Sequence, residues 1–349
     1  MKKFAIAAVA AAAGVANAYT VGTFNNGFVV PNVYFDANET TAVGLTNQTG
    51  STVAVYWTFF DQNSNHVQDG CFTLTDKDYE PFVWNTKAGF GLSGARGYLT
   101  FIAGATTSAG NTLQTVCGAA AFAAAPAVAL GASASVVTQG GFNTLTSAAR
   151  LSGNAFQVNS TGKSVAFVPV IDGPVAIAAT RDITTMDKNS VAYVGGAAQV
   201  NDAGNIVAAN NGGNPFTLNA AGDTYSSVTP TMTMRYFVDN ATGGTDTRIV
   251  VWSTGTQKKS HTVNVYDDKQ NRQSVNFVLS FDELDNFDPE TIVGRPSTFV
   301  DGFVDWTVTA ASLATNATTP VNQNGSIMTY SVISAPAFGA VQTVLGSHR

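Results

Sequence analysis

Past its first residues the chain alternates short apolar runs with polar turns. The run Val53-Ala54-Val55-Tyr56-Trp57-Thr58-Phe59-Phe60 is β-branched and aromatic, and it stops at the turn cluster Asp61-Gln62-Asn63-Ser64-Asn65. Such runs read as strands, because branched and aromatic side chains pack well on a pleated surface. Thr41 to Thr46, Cys71 to Thr75, Tyr98 to Ile102 and Thr112 to Cys117 read the same way. Short strands with a turn about every ten residues predict an all-β sandwich or barrel.

The runs also repeat. Tyr34-Phe35-Asp36 resembles Tyr236-Phe237-Val238-Asp239, and Thr41 to Asn47 matches Thr247 to Ser253. Thr49-Gly50 matches Thr254-Gly255, and Phe60-Asp61-Gln62-Asn63 matches Tyr266 to Asn271. Phe72-Thr73-Leu74 matches Phe277-Val278-Leu279, and Gly97 to Phe101 matches Gly302 to Trp306. The copies are expected to close at Gly118 to Phe122 and at Ser334 to Phe338. Blocks recurring in one order predict two tandem antiparallel immunoglobulin-like β-sandwich domains, the second elaborated by extra strands. The expected division is 1–18 signal peptide, 19–128 first sandwich, 129–145 linker and 146–349 second sandwich with inserted strands. Val165 to Val170 and Val175 to Ala178 are expected as strands of that insert, with a flexible part near 129–145. Ser280 with Glu283 fits a capping box, which predicts one helical turn there.

The N-terminus changes the setting. Lys2 and Lys3 precede an apolar run from Phe4 to Val15, and Ala16-Asn17-Ala18 is a small-x-small cleavage pattern, so export is expected. No later apolar stretch is long enough for a transmembrane helix; Pro126 interrupts the nearest candidate. Charged residues are 11% of the chain, so Thr, Ser, Asn and Gln must cover the surface. The net charge of −6 disfavours nucleic-acid binding. The chain has two cysteines, Cys71 and Cys117, and an oxidising compartment makes them a candidate disulfide. Sequons at Asn38, Asn47, Asn159, Asn240, Asn316 and Asn324 are read as turn residues of a bacterial export product.

Candidate chemistry is thin. Gly89-Phe90-Gly91-Leu92-Ser93-Gly94 spells G-x-G-x-x-G but lacks the strand-to-helix setting that would hold a pyrophosphate, so a glycine-rich loop is expected. The three histidines, His66, His261 and His348, have no metal-ligand spacing, and no G-x-S-x-G elbow supports a nucleophile. Asp282, Glu283, Asp285, Asp288 and Glu290 form the densest carboxylate group and are the candidate calcium site, since calcium takes oxygen ligands from loops. Asp239 and Asp246 are a weaker second pair. No catalytic residue and no other cofactor is expected.

Tyr34-Phe35, Thr41 to Asn47, and Leu74-Thr75 through Asp78 to Trp84 resemble secreted proteobacterial β-sandwich repeat proteins over residues 28–104. That resemblance implies no function and no catalytic residue. The resulting expectation is a non-catalytic subunit of a bacterial surface layer, sheath or filament, self-associating through sheet faces and edges. Tyr19 to Val30 would be its donor strand. A monomeric adhesin or glycan-binding module is the alternative, and a secreted hydrolase a third reading.

Overall fold

The alternating runs fold as antiparallel strands, and helix is confined to single turns among the described residues. The computed structural model describes residues 27–48, 50, 52–104, 107–108, 111–112, 151–172, 175–177, 191–194, 198–201, 231–239, 244–253, 257–307 and 324–348. The first strands are β1 Gly27–Tyr34, β2 Glu39–Asn47, β3 Val53–Asp61, β4 His66–Leu74, β5 Tyr79–Val83 and β6 Arg96–Gly104. A small pair, β7 Thr107–Ser108 and β8 Asn111–Thr112, comes before β9 Leu151–Asn159, β10 Ser164–Val168 and β11 Ile171–Asp172. Next come β12 Val175–Ile177, β13 Val191–Val194 and β14 Ala198–Asn201. The last group is β15 Thr231–Phe237, β16 Asp246–Ser253, β17 Lys259–Asp267, β18 Arg272–Leu279, β19 Leu284–Phe287, β20 Asp301–Thr307, β21 Asn324–Ala335, β22 Ala340–Leu345 and β23 Ser347–His348.

These strands build four larger antiparallel sheets, which form two pairs of one plan. The first pair runs β11-β1-β6-β3-β4 and β10-β9-β2-β5. The second runs β23-β15-β20-β17-β18 and β22-β21-β16-β19, with β14 added along β21. Each pair closes on its own core. Phe28, Val30, Val55, Phe59, Leu99 and Phe101 face Val43, Leu45, Phe82 and Ala155 in the first. Met232, Met234, Val263, Val265, Val304 and Trp306 face Ile249, Val251 and Ile327 in the second. Alternation puts every second residue of each strand into these cores.

The two halves repeat in detail. Thr41 Oγ1 accepts from Tyr34 N and lies 3.1 Å from Tyr34 O, and Thr247 Oγ1 accepts from Phe237 N and donates to Phe237 O. Tyr34 therefore pairs by position with Phe237, one residue on from the match the sequence suggests. Asp61 Oδ1 accepts from Asn63 N and Asn65 N, as Asp267 Oδ1 does from Lys269 N and Asn271 N. Ser64 (φ 55) and Gln270 (φ 66) take the left-handed position of these matching hairpins.

Some expectations need correction. Leu151–Asp172 belongs to the first sandwich, since β9 pairs with β2 over nine residues and β11 with β1. The counterpart of β21 is thus β9; Gly118–Phe122 and the expected flexible part 129–145 lie outside the described residues. Ser280 and Glu283 start no helix. The turns instead follow the edge strands, Trp84–Lys87 after β5 and the 3-10 turn Pro289–Thr291 after β19. Asn47 is buried at the end of β2, where its amide donates to Leu74 O and Thr75 O, so it is no surface turn residue. The described part of the expected donor strand, Gly27–Val30, is buried between β6 and β11 of its own sheet.

Candidate functional site at the face between the sandwiches

The strand run Val53–Phe60 is apolar on both faces, and both faces are covered. Val55, Trp57 and Phe59 enter the first core, while Tyr56, Thr58 and Phe60 point the other way and are also buried. Val29, Tyr98, Thr100 and Ile102 on the neighbouring strands share this second buried layer. The facing layer comes from the outward side of β16, β19 and β21: Val250, Trp252, Leu284, Met328 and Tyr330. Tyr98 meets Trp252 edge-on, with ring centroids 5.7 Å apart, and stacks on Phe60 at 4.9 Å.

Polar groups fix the register of the two faces. The β3–β4 hairpin inserts Gln62, whose carbonyl accepts from Glu283 N and Leu284 N at 3.2 and 3.1 Å. Gln62 Nε2 donates to Leu284 O, and Asn63 Oδ1 accepts from Asp282 N. Ser64 and Tyr98 share a short hydroxyl–hydroxyl hydrogen bond. Burial, with the Glu283 charge nearby, pushes the Tyr98 hydroxyl pKa far up, so it stays protonated and can donate. At the other edge Arg96 Nη1 donates to Asn32 Oδ1 at 2.6 Å and lies 4.5 Å over the Tyr34 ring. Asn32 also lies near the buried Tyr330 hydroxyl.

The candidate calcium ligands fall on this segment but are not gathered. Glu283 and Asp285 are buried. Asp285 Oδ2 accepts from Phe281 N, and desolvation raises its pKa to about 6. Asp288 caps the turn after β19 by accepting from Glu290 N. Among the described residues no three His, Cys, Asp or Glu side chains cluster as metal ligands. Asp246 is held above its ordinary pKa by burial and by the charge of Asp288. Cys71 is disulfide-bonded; Cys117, the other cysteine, lies outside the described residues. His66 Nε2 sits 3.0 Å from Asp69 Oδ2. His261 is buried against Phe277 and Trp306, and its Nε2 bonds to Gln257 O. Desolvation lowers its pKa, so the ring is neutral. The Gly89–Gly94 loop follows a helical turn and precedes β6, as a plain connection.

Comparison with known proteins redirects the functional reading. Residues 8–122 match the model of the family described as multicopper oxidase. No curated protein matches the chain. Among solved structures, a Bacillus subtilis oxalate decarboxylase mutant aligns at 11% identity over 89% of this chain and 66% of that one, with a TM-score of 0.16. The Lactobacillus farciminis oxalate decarboxylase–formate complex aligns at 10% identity over 86% and 73%, with a TM-score of 0.15. At such scores the likenesses carry no argument, and the chain spans less than two thirds of the Bacillus enzyme.

The described residues do not fit a copper centre. A type-1 site needs a thiolate and two imidazoles together, and here Cys71 is oxidised, His66 is turned to Asp69 and His261 is sealed in the other core. The family match nevertheless overturns three expectations. A surface-layer, sheath or filament subunit, with the adhesin and hydrolase readings behind it, was the wrong class. So was the expectation of no enzyme, and so was the cofactor expectation of calcium or none. The match points instead to a multicopper-oxidase-like β-domain over residues 8–122, and it replaces the resemblance to secreted repeat proteins.

Proposed function

We propose that this chain is an exported oxidoreductase-type protein in which a multicopper-oxidase-like sandwich is clamped to a second sandwich of the same plan. The family match over residues 8–122 carries the reading, because that segment holds all the strands from β1 to β6. The proposal takes the halves as two tandem immunoglobulin-like domains, with the boundary after Asp172. The basic and apolar N-terminus supports export, and an oxidised Cys71 suits an oxidising compartment. No helix among the described residues is long and apolar enough to cross a membrane.

No reaction step is assigned to the residues described above. The test is metal content together with oxygen uptake. Mature protein is loaded with copper, desalted and assayed for bound metal, then for oxygen consumption with a panel of electron donors. Stoichiometric copper with turnover supports the proposal. Protein that retains no copper and consumes no oxygen overturns it.

A further inference from the structure

One side-chain pair of the first sandwich has the composition of a self-acylating site, and no copy of it exists in the second. Thr41 on β2 faces Gln157 on β9 directly across the ladder. Thr41 is fully buried, and its hydroxyl donates to Gln157 Oε1 at 2.7 Å. The backbone N–H of Tyr34 holds Thr41 Oγ1 at 3.0 Å, and Gln157 Nε2 donates to Tyr34 O at 3.3 Å. Hydroxyl and carboxamide are therefore both pinned, with their two oxygens 2.7 Å apart. Glu39, two residues from Thr41 on the same face of β2, lies near the Gln157 side chain, one ladder step from the Thr41–Gln157 pair. A nucleophile, an acyl group and a carboxyl that can move a proton thus meet at one point.

We propose that Thr41 and Gln157 are a covalent modification site, where the Thr41 hydroxyl displaces ammonia from the Gln157 carboxamide to form an interstrand ester. The Thr41 Oγ1–Gln157 Cδ bond forms and the Cδ–Nε2 bond breaks. Glu39 gives a proton to the departing nitrogen and recovers the proton released by the hydroxyl. The products are one ester and one ammonia, with no oxidant and no water consumed. Holding the partners in contact supplies the proximity that a dilute alcohol and amide lack. Desolvation, opposed in part by Arg96, raises the Glu39 pKa, which suits it to proton transfer nearer neutral pH. The second sandwich is an internal control. Thr247 Oγ1 accepts from Phe237 N as Thr41 Oγ1 does from Tyr34 N, but the residue across from it is Ile333, which has no acyl group.

Intact mass of the purified full chain decides the matter. The expected mass is about 17 Da below that of the disulfide-bonded sequence, the mass of ammonia. Peptide mapping should find the residue-41 and residue-157 peptides joined, and hydroxylamine should release them. Thr41→Ala and Glu39→Gln should each restore the full mass, whereas Thr247→Ala should leave the loss in place. An unmodified wild-type mass overturns the proposal, and so does an ammonia loss mapped to any other pair. Both readouts come from the wild-type chain, so a variant that fails to fold does not blunt the test.

Discussion

The two sandwiches share strand order, hairpins and inward faces, yet their outward faces are opposites. On β3 and β6 the outward residues are Tyr56, Thr58, Phe60, Tyr98, Thr100 and Ile102, all buried. Their positional partners on β17 and β20 are Thr262, Asn264, Tyr266, Phe303, Asp305 and Thr307, which are exposed or half-buried. The other sheet reverses the pattern. Trp252, Val250 and Tyr330 of the second sandwich are sealed, while Thr46 and Asn154 in the first are only half-buried. Inward residues fix the plan, and outward residues decide which face stacks. Thr, Asn and Asp make the other outward faces polar, so among the described residues the stack comprises four large sheets.

The sharpest way to break this asymmetry is to empty the shared layer. Trp252→Ala removes a buried indole that meets Tyr98 across the interface. It should cost about 3–5 kcal/mol, the range for deleting a buried aromatic. Its counterpart Thr46→Ala should cost about 0.5 kcal/mol or less, as an ordinary surface change. Guanidinium unfolding followed by tryptophan fluorescence measures both. Equal effects would mean that the two outward faces are energetically alike.

Glycine substitution tests the shared plan instead. A Cβ at Gly97 would overlap the Phe60 carbonyl oxygen, and one at Gly302 the Tyr266 carbonyl oxygen. The backbone in each ladder would have to shift. Gly97→Ala and Gly302→Ala should each cost about 1–3 kcal/mol, the usual scale of overpacking. Thermal unfolding should rank them together; a large disparity would show that the repeat stops at topology.

Much of this was legible in the sequence, and the misses have physical causes. Blocks such as Phe60-Asp61 with Tyr266-Asp267 were visible because hairpin chemistry is local. The joining strand β9 was assigned to the wrong half, because Leu151–Asn159 carries one aromatic residue and its partner β2 lies more than a hundred residues back. The shared layer had a signal in the unbroken run Val53–Phe60, since a strand apolar on both sides needs cover on both sides. Asp282 to Glu290 looked like a ligand set because carboxylates crowd in sequence. On the chain they alternate between an interface, a core edge and a turn cap. The Thr41–Gln157 contact spans 116 residues and has no local signature.

The acids on the two edge strands give the next contrast, through pH. Asp285 on β19 is buried, and its pKa is raised to about 6 by desolvation. Its folded pKa lies above the unfolded value of about 3.9, so the native state binds the proton more tightly. The stabilising contribution is complete below the unfolded value and fades as pH rises through about 6. Asp285→Asn should flatten that slope and gain on the order of 1–2 kcal/mol at pH 8, after allowance for partial solvent screening. Urea midpoints between pH 4 and 8 give the comparison. A wild-type curve with no fall across that window would remove the buried charge from the account.

Glu80 is the smallest and most discriminating partner to that experiment. It occupies on β5 the position Asp285 holds on β19, since Leu45 pairs with Glu80 as Val251 pairs with Asp285. Yet Glu80 is half-exposed and lies 3.5 Å from Lys87 in an ion pair at the open edge of the first sandwich. An exposed pair gains little Coulomb energy in water and loses side-chain entropy, so Glu80→Gln should change stability by about 0–1 kcal/mol. Raising the salt should shrink the difference further, because water and ions screen exposed charges. Measured beside Asp285→Asn, it separates the position from its surroundings. If burial controls the energetics, only the buried acid responds strongly to pH. If Glu80→Gln moved stability as far as Asp285→Asn, the strand position itself would be responsible, and the contrast between the buried and half-exposed edges would lose its energetic meaning.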